Sequence, residues 1–251
     1  MLVKTKFDVM NRILQVFILV LIATTTYAQQ IFAHNDYEKP KPFFRAFELK
    51  VDYIESDIFL ENGELLVAHE KKQLDPSKTL QSMYLKPLSE KVKEGNGTLY
   101  GVTLMIDLKT DGVPTLNALV KTLESYPDVT SARGLYITIS GNYPPPSDWK
   151  NYPDFITFDG RPNVQYTQEQ LKRVRLISTS FGSVSGWNGK GEIPSNEEQK
   201  LKSVIDHVHN LEKPVRFWGS PDFQNAWEKL EAIGVDVINT DNVEEVVKVF
   251  R

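Results

Sequence analysis

Glu55 and Asp57 stand two residues apart in the run IESDIFLENGELLVAHE, which ends near His69. Ile54, Ile58 and Leu60 alternate imperfectly with polar neighbours, and the run reads as a β-strand. In a strand, positions i and i+2 face the same side. Two carboxylates on one side repel each other unless something neutralises them. A divalent cation is the simplest remedy. Asn62-Gly63 reads as a turn that brings the chain back to His69, a candidate acid or base. A second histidine, His34, lies upstream in AHND, and downstream MIDLK sets Asp107 and Lys109 at the same i, i+2 spacing. An acid pair, a third acid, two histidines and a lysine make a hydrolytic metal site the leading expectation.

The ligand chemistry narrows the ion. The chain has no cysteine, so thiolate ligands, disulfides and a cysteine nucleophile are excluded. Oxygen donors favour one Mg²⁺ or Ca²⁺ over zinc. An imidazole titrates near neutral pH, so His34 and His69 together can serve as base and acid. His207 and His209 fall at i, i+2 in a helical pattern, point in different directions, and read as surface residues. The plainer reading of Lys109 is a counter-ion for Asp107.

Such residues need a scaffold. Eight short β-rich runs follow residue 28: QIFAHND, VDYIESDIF, GVTLMIDLK, GLYITIS, DFITFDG, VRLISTSF, KPVRFWGS and VDVINTDN. ELLVAHE reads as a hairpin extension of the second. Helical patterns lie between the runs. LQSMYLKPLSEKVKE is expected to break or kink at Pro87. VPTLNALVKTLESY stripes Leu116, Leu119, Val120 and Leu123. SNEEQKLKSVIDHVHNL has Ser195 as an expected N-cap and stripes Leu201, Val204, Ile205, Val208 and Leu211. SPDFQNAWEKLEAIG is expected to start at Ser220-Pro221 and stop at Gly234, and VEEVVKVF follows. Eight β/α alternations predict a single-domain (β/α)8 TIM barrel, with a doubly wound sheet as the alternative. No glycine-rich dinucleotide fingerprint supports that alternative. In a barrel the active site lies at the C-terminal strand ends. His34, Glu55, Asp57, Asp107, Lys109, Ser140, Asp159, Ser180, Trp218, Asn239 and Asp241 all fall there.

The first 28 residues read as a cleaved signal peptide: Lys4, Lys6 and Arg12, then an apolar stretch from Ile13 to Ala23, then Thr26-Tyr27-Ala28. The stretch is short of the ~20 apolar residues that span a bilayer. Residues 29–251 are then the exported domain, secreted or periplasmic, with no stable membrane span. The net charge of −4 argues against nucleic acid as a partner.

Together, AHND, IESDIFLENGELLVAHE, MIDLK, RFWGS and VDVINTDN resemble the phospholipase C-like phosphodiesterase superfamily. That group includes glycerophosphodiester phosphodiesterases and sphingomyelinase D-like phospholipases. The HNDY start most resembles the branch named after the altered inheritance of mitochondria protein 6. The resemblance implies a phosphoric diester hydrolase acting on a small-molecule or lipid phosphodiester, such as a glycerophosphodiester or a lysophospholipid-like compound. It implies that Glu55, Asp57 and Asp107 bind the metal, that His34 and His69 are the acid–base pair, that Lys109 stabilises phosphate charge, and that Trp218 borders the pocket. Asp107 matches the sphingomyelinase D-like third ligand. Glycerophosphodiesterases carry Arg-Gly after the first histidine, whereas this chain has Asn35-Asp36, so one phosphate-binding arginine is missing. Arg161 or Arg216 is the candidate substitute. The competing readings are a non-catalytic ligand-binding barrel and a glycoside hydrolase, whose paired carboxylates also suit a barrel. The two histidines and Lys109 speak against the glycosidase.

Overall fold

The computed structural model describes residues 29–251. The expected signal peptide lies outside the described residues. Nine strands form one sheet: β1 (Gln30–Ala33), β2 (Tyr53–Glu61), β3 (Glu64–Val67), β4 (Thr98–Leu108), β5 (Arg133–Gly141), β6 (Ile156–Gly160), β7 (Val174–Ser180), β8 (Val215–Trp218) and β9 (Val237–Thr240). Eight are parallel. β1 pairs with both β9 and β2, which closes the sheet into a barrel. β3 is the exception, antiparallel to β2 across the two-residue turn Asn62-Gly63. Both turn residues take positive φ, +51° and +85°, as a tight hairpin turn of this kind requires.

The helices are α1 (Phe44–Glu48), α2 (Lys86–Glu94), α3 (Gly112–Glu124), α4 (Pro127–Thr130), α5 (Gln168–Lys172), α6 (Ser195–His209), α7 (Gln224–Ala232) and α8 (Val243–Phe250). Between β5 and β6 the chain makes only a 3₁₀ segment, Pro146–Asn151, and Trp149 fills the helix's place by stacking on Phe158 at 4.1 Å. Three expectations shift. The interruption near Pro87 is a wide π-turn, Gln81–Leu85, that leads into α2 with the proline in its first turn, where its missing N–H costs nothing. Ser195 is the first helical residue after Pro194 rather than a cap. α7 starts at Gln224, because Asp222 turns away to bond Asp241, Asn242 and Trp227.

Strand alternation divides the core. Ile31, Ile54, Ile58, Ile106, Ile137 and Ile238 face outward against the helices in one large cluster. Phe32, Tyr53, Met105, Leu176 and Val237 form a small separate cluster inside the barrel. That inner cluster plugs the barrel. The residues one pleat further along each strand, Glu55 after Tyr53 and Asp107 after Met105, face the same way above it.

Candidate active site

The polar residues above the plug line one cavity of about 740 Å³ at the C-terminal strand ends. The nine residues given site roles from the sequence lie on its wall: His34, Glu55, Asp57, His69, Asp107, Lys109, Arg161, Arg216 and Trp218; of the other strand-end residues, Asn239 and Asp241 are not among those lining it. β2 and β4 run in register with Asp57 beside Asp107. Each of Glu55, Asp57 and Asp107 offers a carboxylate oxygen within 4.8 Å of the other two. Lys109 reaches into this cluster, its Nζ 2.9 Å from Asp57 Oδ2 and 3.1 Å from Asp107 Oδ1.

Burial and crowding act on these groups in opposite directions. Burial and the charges of Glu55 and Asp107 push Asp57 up to about 6, although Lys109 pulls it down. Burial lowers Lys109, but Asp107 and Asp57 more than offset it, and the net shift is upward. Gly141 gives the cluster room. It sits at φ +75°, and a Cβ there would come 2.5 Å from Asp107 Oδ1. Ser140 Oγ donates to Asp107 Oδ2 at 2.8 Å.

The two histidines flank the acids, and each is held through Nδ1. His34 Nδ1 lies 2.9 Å from Asp241 Oδ1. Asn35 Nδ2 lies as close to the same nitrogen, so Nδ1 stands between an acceptor and a donor, and Nε2 turns toward Glu55, 3.7 Å away. Burial lowers the His34 pKa, but the Asp241 hydrogen bond and the charges of Glu55 and Asp241 outweigh it, leaving a net rise. His69 comes down from β3 with Nδ1 3.1 Å from Tyr37 Oη and 3.4 Å from Asp57 Oδ2. Tyr37 Oη lies 2.7 Å from two acceptors, Asp57 Oδ2 and Asn35 Oδ1, which take its one proton between them, so toward His69 its oxygen is the acceptor. Among the described hydrogen bonds, neither Nε2 takes part. His207 and His209 stay on the outside, bonded to Pro162 O and Asp236.

The loop after β1 is the part of this site that the sequence conceals. Asn35 adopts the left-handed region, φ +50° and ψ +34°, and its N–H donates to Glu55 Oε2 at 3.0 Å. Asp36 is buried, accepting from Phe43 N–H at 2.5 Å and Tyr84 Oη at 2.9 Å. Burial pushes its pKa up to about 6. Phe43 sits at φ +67°, ψ −57° inside the turn closed by Phe44 N–H to Pro42 O, a strained γ-turn. Tyr37 and Asp36 were visible only as part of the HNDY pattern. Nothing in their spacing announces that the loop folds inward.

The two candidate arginines have different places. Arg161 is exposed at the rim, donates to Gly141 O and stacks over Tyr143 at 5.0 Å. Arg216 is buried under the acids. Its guanidinium lies 3.5 Å over the Phe32 ring, bonds Asn239 Oδ1 at 2.9 Å, and stands 3.8 Å from Glu55 and 3.7 Å from Asp159. It underlies the acid cluster with its charge, while Arg161 faces the opening. Asp159 is fully enclosed, and burial pushes it up to about 7 against the pull of Arg216. Trp218 borders the mouth, 48% exposed.

Residues 22–100 match the model of the AIM6-like phosphodiesterase domain. The altered inheritance of mitochondria protein 6 of Eremothecium gossypii is 27% identical over 267 residues, 87% of this chain and 69% of that protein. The homolog from Arthroderma benhamiae is 28% identical, covering 85% and 81%. The likeness is to the AIM6 proteins. The crystal structure of a glycerophosphodiester phosphodiesterase from Parabacteroides distasonis superposes with a TM-score of 0.54 at 16% identity, over 88% of this chain and 96% of that one. At that identity the match speaks for the fold, and it is the barrel read from the eight strands. The AIM6-like match covers AHND, the acid pair and His69, and ends before MIDLK, RFWGS and VDVINTDN.

Proposed function

We propose that this protein is an exported, metal-dependent phosphoric diester hydrolase. The observation that carries the reading is the placement of two histidines, each with Nε2 outside the described hydrogen bonds, on either side of three clustered carboxylates and a lysine. The carboxylate oxygens offer a hard donor set of the size a Mg²⁺ or Ca²⁺ takes. When bound, the cation supplies Lewis-acid charge for the phosphoryl oxygens. Lys109 neutralises part of the acid cluster and offers a second positive charge to the developing equatorial oxygens. One imidazole takes the proton of the attacking hydroxyl, and the other gives a proton to the departing alkoxide. Asp241 and Tyr37 hold the two rings so that Nε2 is the atom available in each case. Arg161, at the rim, is placed to meet the phosphate from outside, the task of the arginine missing after His34. The AIM6-like match and the phosphodiesterase neighbour support this reading of the fold's chemistry.

The test is turnover of a panel of lysophospholipids, glycerophosphodiesters and bis(p-nitrophenyl) phosphate with and without Mg²⁺ or Ca²⁺. His34→Ala and His69→Ala should each lower kcat at least about 10²-fold, whereas His207→Ala and His209→Ala should stay within about twofold of the parent. A His34→Ala variant with unchanged kcat on a good substrate would overturn the acid–base assignment. Tight metal binding without hydrolysis across the panel would favour a ligand-binding barrel instead.

A further inference from the structure

A second cavity of about 680 Å³ opens beside the first, between the loop 38–44, the end of β3 and the π-turn. Its size lies in the range of small-molecule sites. His69 lies on the wall of both cavities. Tyr37, which lines the second, bonds the acid Asp57 of the first. The two spaces are therefore neighbours across one imidazole.

Their linings differ in sign. The catalytic cavity carries four acids, Glu55, Asp57, Asp107 and Asp159, against three cations, Lys109, Arg161 and Arg216, the last buried among the acids. The second carries Lys39, Lys41 and Lys78 against the single acid Glu38. Among the described ion pairs, none of these three lysines takes part, although Lys71, Lys72, Lys91 and Lys93 nearby are all paired. Between the lysines the lining is apolar, with Val67, Met83 and Pro87, and with Phe44 left 38% exposed. A part-exposed aromatic ring in a lining that also holds three lysines outside the described ion pairs suits a ligand with an apolar stretch and a negative end.

We propose that this cavity is a subsite for one ester arm of the substrate, an apolar arm that ends in an acidic group. The inference rests on the phosphodiesterase reading. A phosphodiester held between His34 and His69 has two arms, and the arm on the His69 side leads into this cavity. Its apolar part covers Phe44 and Met83, and its acidic end meets Lys39, Lys41 and Lys78. The other arm leaves past Arg161 and Trp218.

The experiment uses p-nitrophenyl phosphodiesters whose second arm is methyl, n-octyl, ω-carboxyoctyl or ω-trimethylammonio-octyl. kcat/KM should rise at least about tenfold from methyl to octyl, since burial of each methylene contributes roughly 0.8 kcal/mol when complete. The terminal carboxylate should add about another fivefold, the scale of exposed charge pairing, and the ammonium arm should lose it. In the Lys39→Gln/Lys41→Gln/Lys78→Gln variant the carboxyoctyl-to-octyl ratio should fall to about one. Met83→Glu should lower the octyl-to-methyl ratio. Equal rates for all four arms, a preference for the ammonium arm, or a carboxylate preference that survives the triple variant would overturn the subsite. A second measurement separates this from failure of the hydrolase reading. The non-hydrolysable ω-carboxyoctyl methylphosphonate is titrated calorimetrically with Mg²⁺ present. Lysine-dependent binding without turnover of any diester sinks the hydrolase and keeps the subsite. Turnover of the methyl diester without lysine-dependent binding does the reverse.

Discussion

Replacing Tyr37 by Phe removes one oxygen and leaves the ring in its buried place. That oxygen lies 2.7 Å from Asp57 Oδ2, 2.7 Å from Asn35 Oδ1 and 3.1 Å from His69 Nδ1. Its loss takes the acceptor from His69 Nδ1 and a donor from a buried carboxylate. Hydrogen bonds to charged groups contribute about 1.5–3 kcal/mol each and neutral ones about 1 kcal/mol. Asp57 keeps Lys109 at 2.9 Å, so its loss falls at the low end, and the total destabilisation should be about 2–3 kcal/mol in urea unfolding. The catalytic cost comes from a His69 ring no longer held in one orientation, about 10–100-fold in kcat, the scale seen when a supporting hydrogen bond is removed from a site. KM should change less than about threefold. The deciding assay is a double-mutant cycle on a diester that the parent cleaves. In the His69→Ala background, Tyr37→Phe should lower kcat by less than about twofold, because the group it positions is gone. A full further 10-fold loss in that background would show that Tyr37 acts through Asp57 and the metal, and would refute the reasoning from His69.

Three further outcomes follow from the structure. Mg²⁺ or Ca²⁺ at about 100 times its Kd should stabilise the protein by about 2.7 kcal/mol, and Asp57→Asn should abolish the gain; calorimetric titration of both proteins checks this, and equal binding by the variant would remove Asp57 from the ligand set. Asp36 holds its proton up to about pH 6 when folded but ionises near the ordinary carboxylate value when unfolded, so the folded state binds the extra proton between those values and stability falls as pH rises through that window. Asp36→Asn keeps an acceptor for Phe43 and Tyr84 but loses this penalty. Its stability relative to the parent, measured by urea unfolding in EDTA, should therefore increase by up to about 3 kcal/mol from pH 4 to pH 7, and a flat difference would contradict the burial argument. Export with cleavage after Ala28 should give a secreted or periplasmic protein beginning at Gln29, as intact mass will show; recovery with Met1 in place would refute it.

The barrel was legible because its signal is local and repeated. Each strand carries its own β-branched run and its own turn, and the period of two then fixes which residues face inward, so Glu55, Asp57 and Asp107 could be placed together without coordinates. Their clustering needed the fold, and the fold followed from counting. The loop after β1 was not legible in this way. Asp36 reads as a surface acid in a polar turn, and only the approach of Tyr84 from the π-turn makes it a buried anchor. Tyr37 is an aromatic with no periodic partner, and its role depends on His69 returning along β3 to the level of Asp57. Arg216 could be read as a phosphate ligand or as an internal ion pair, because a residue on β8 gives no clue to how deep in the barrel it sits. The displaced start of α7 has the same origin: Asp222 is drawn to residues 241 and 242, a contact with no trace in the local sequence.

β1 lies between β2 and β9, so the barrel closes at its first strand, and the same seam holds His34 to Asp241. The two partners of that hydrogen bond are 207 positions apart. A chain that folds from its N-terminus can build β1 to β4, with the acid cluster and Lys109, long before β9 exists. His34 acquires its Asp241 contact only when the last strand docks. Contacts of such long sequence separation form late, since loop closure must be met before they are made. If the proposed hydrolase needs His34 held at this seam, activity regained during refolding should appear with the closing of the ring rather than with the collapse of the core. Under the proposed reading as an exported hydrolase, turnover would wait until the whole chain has reached its compartment.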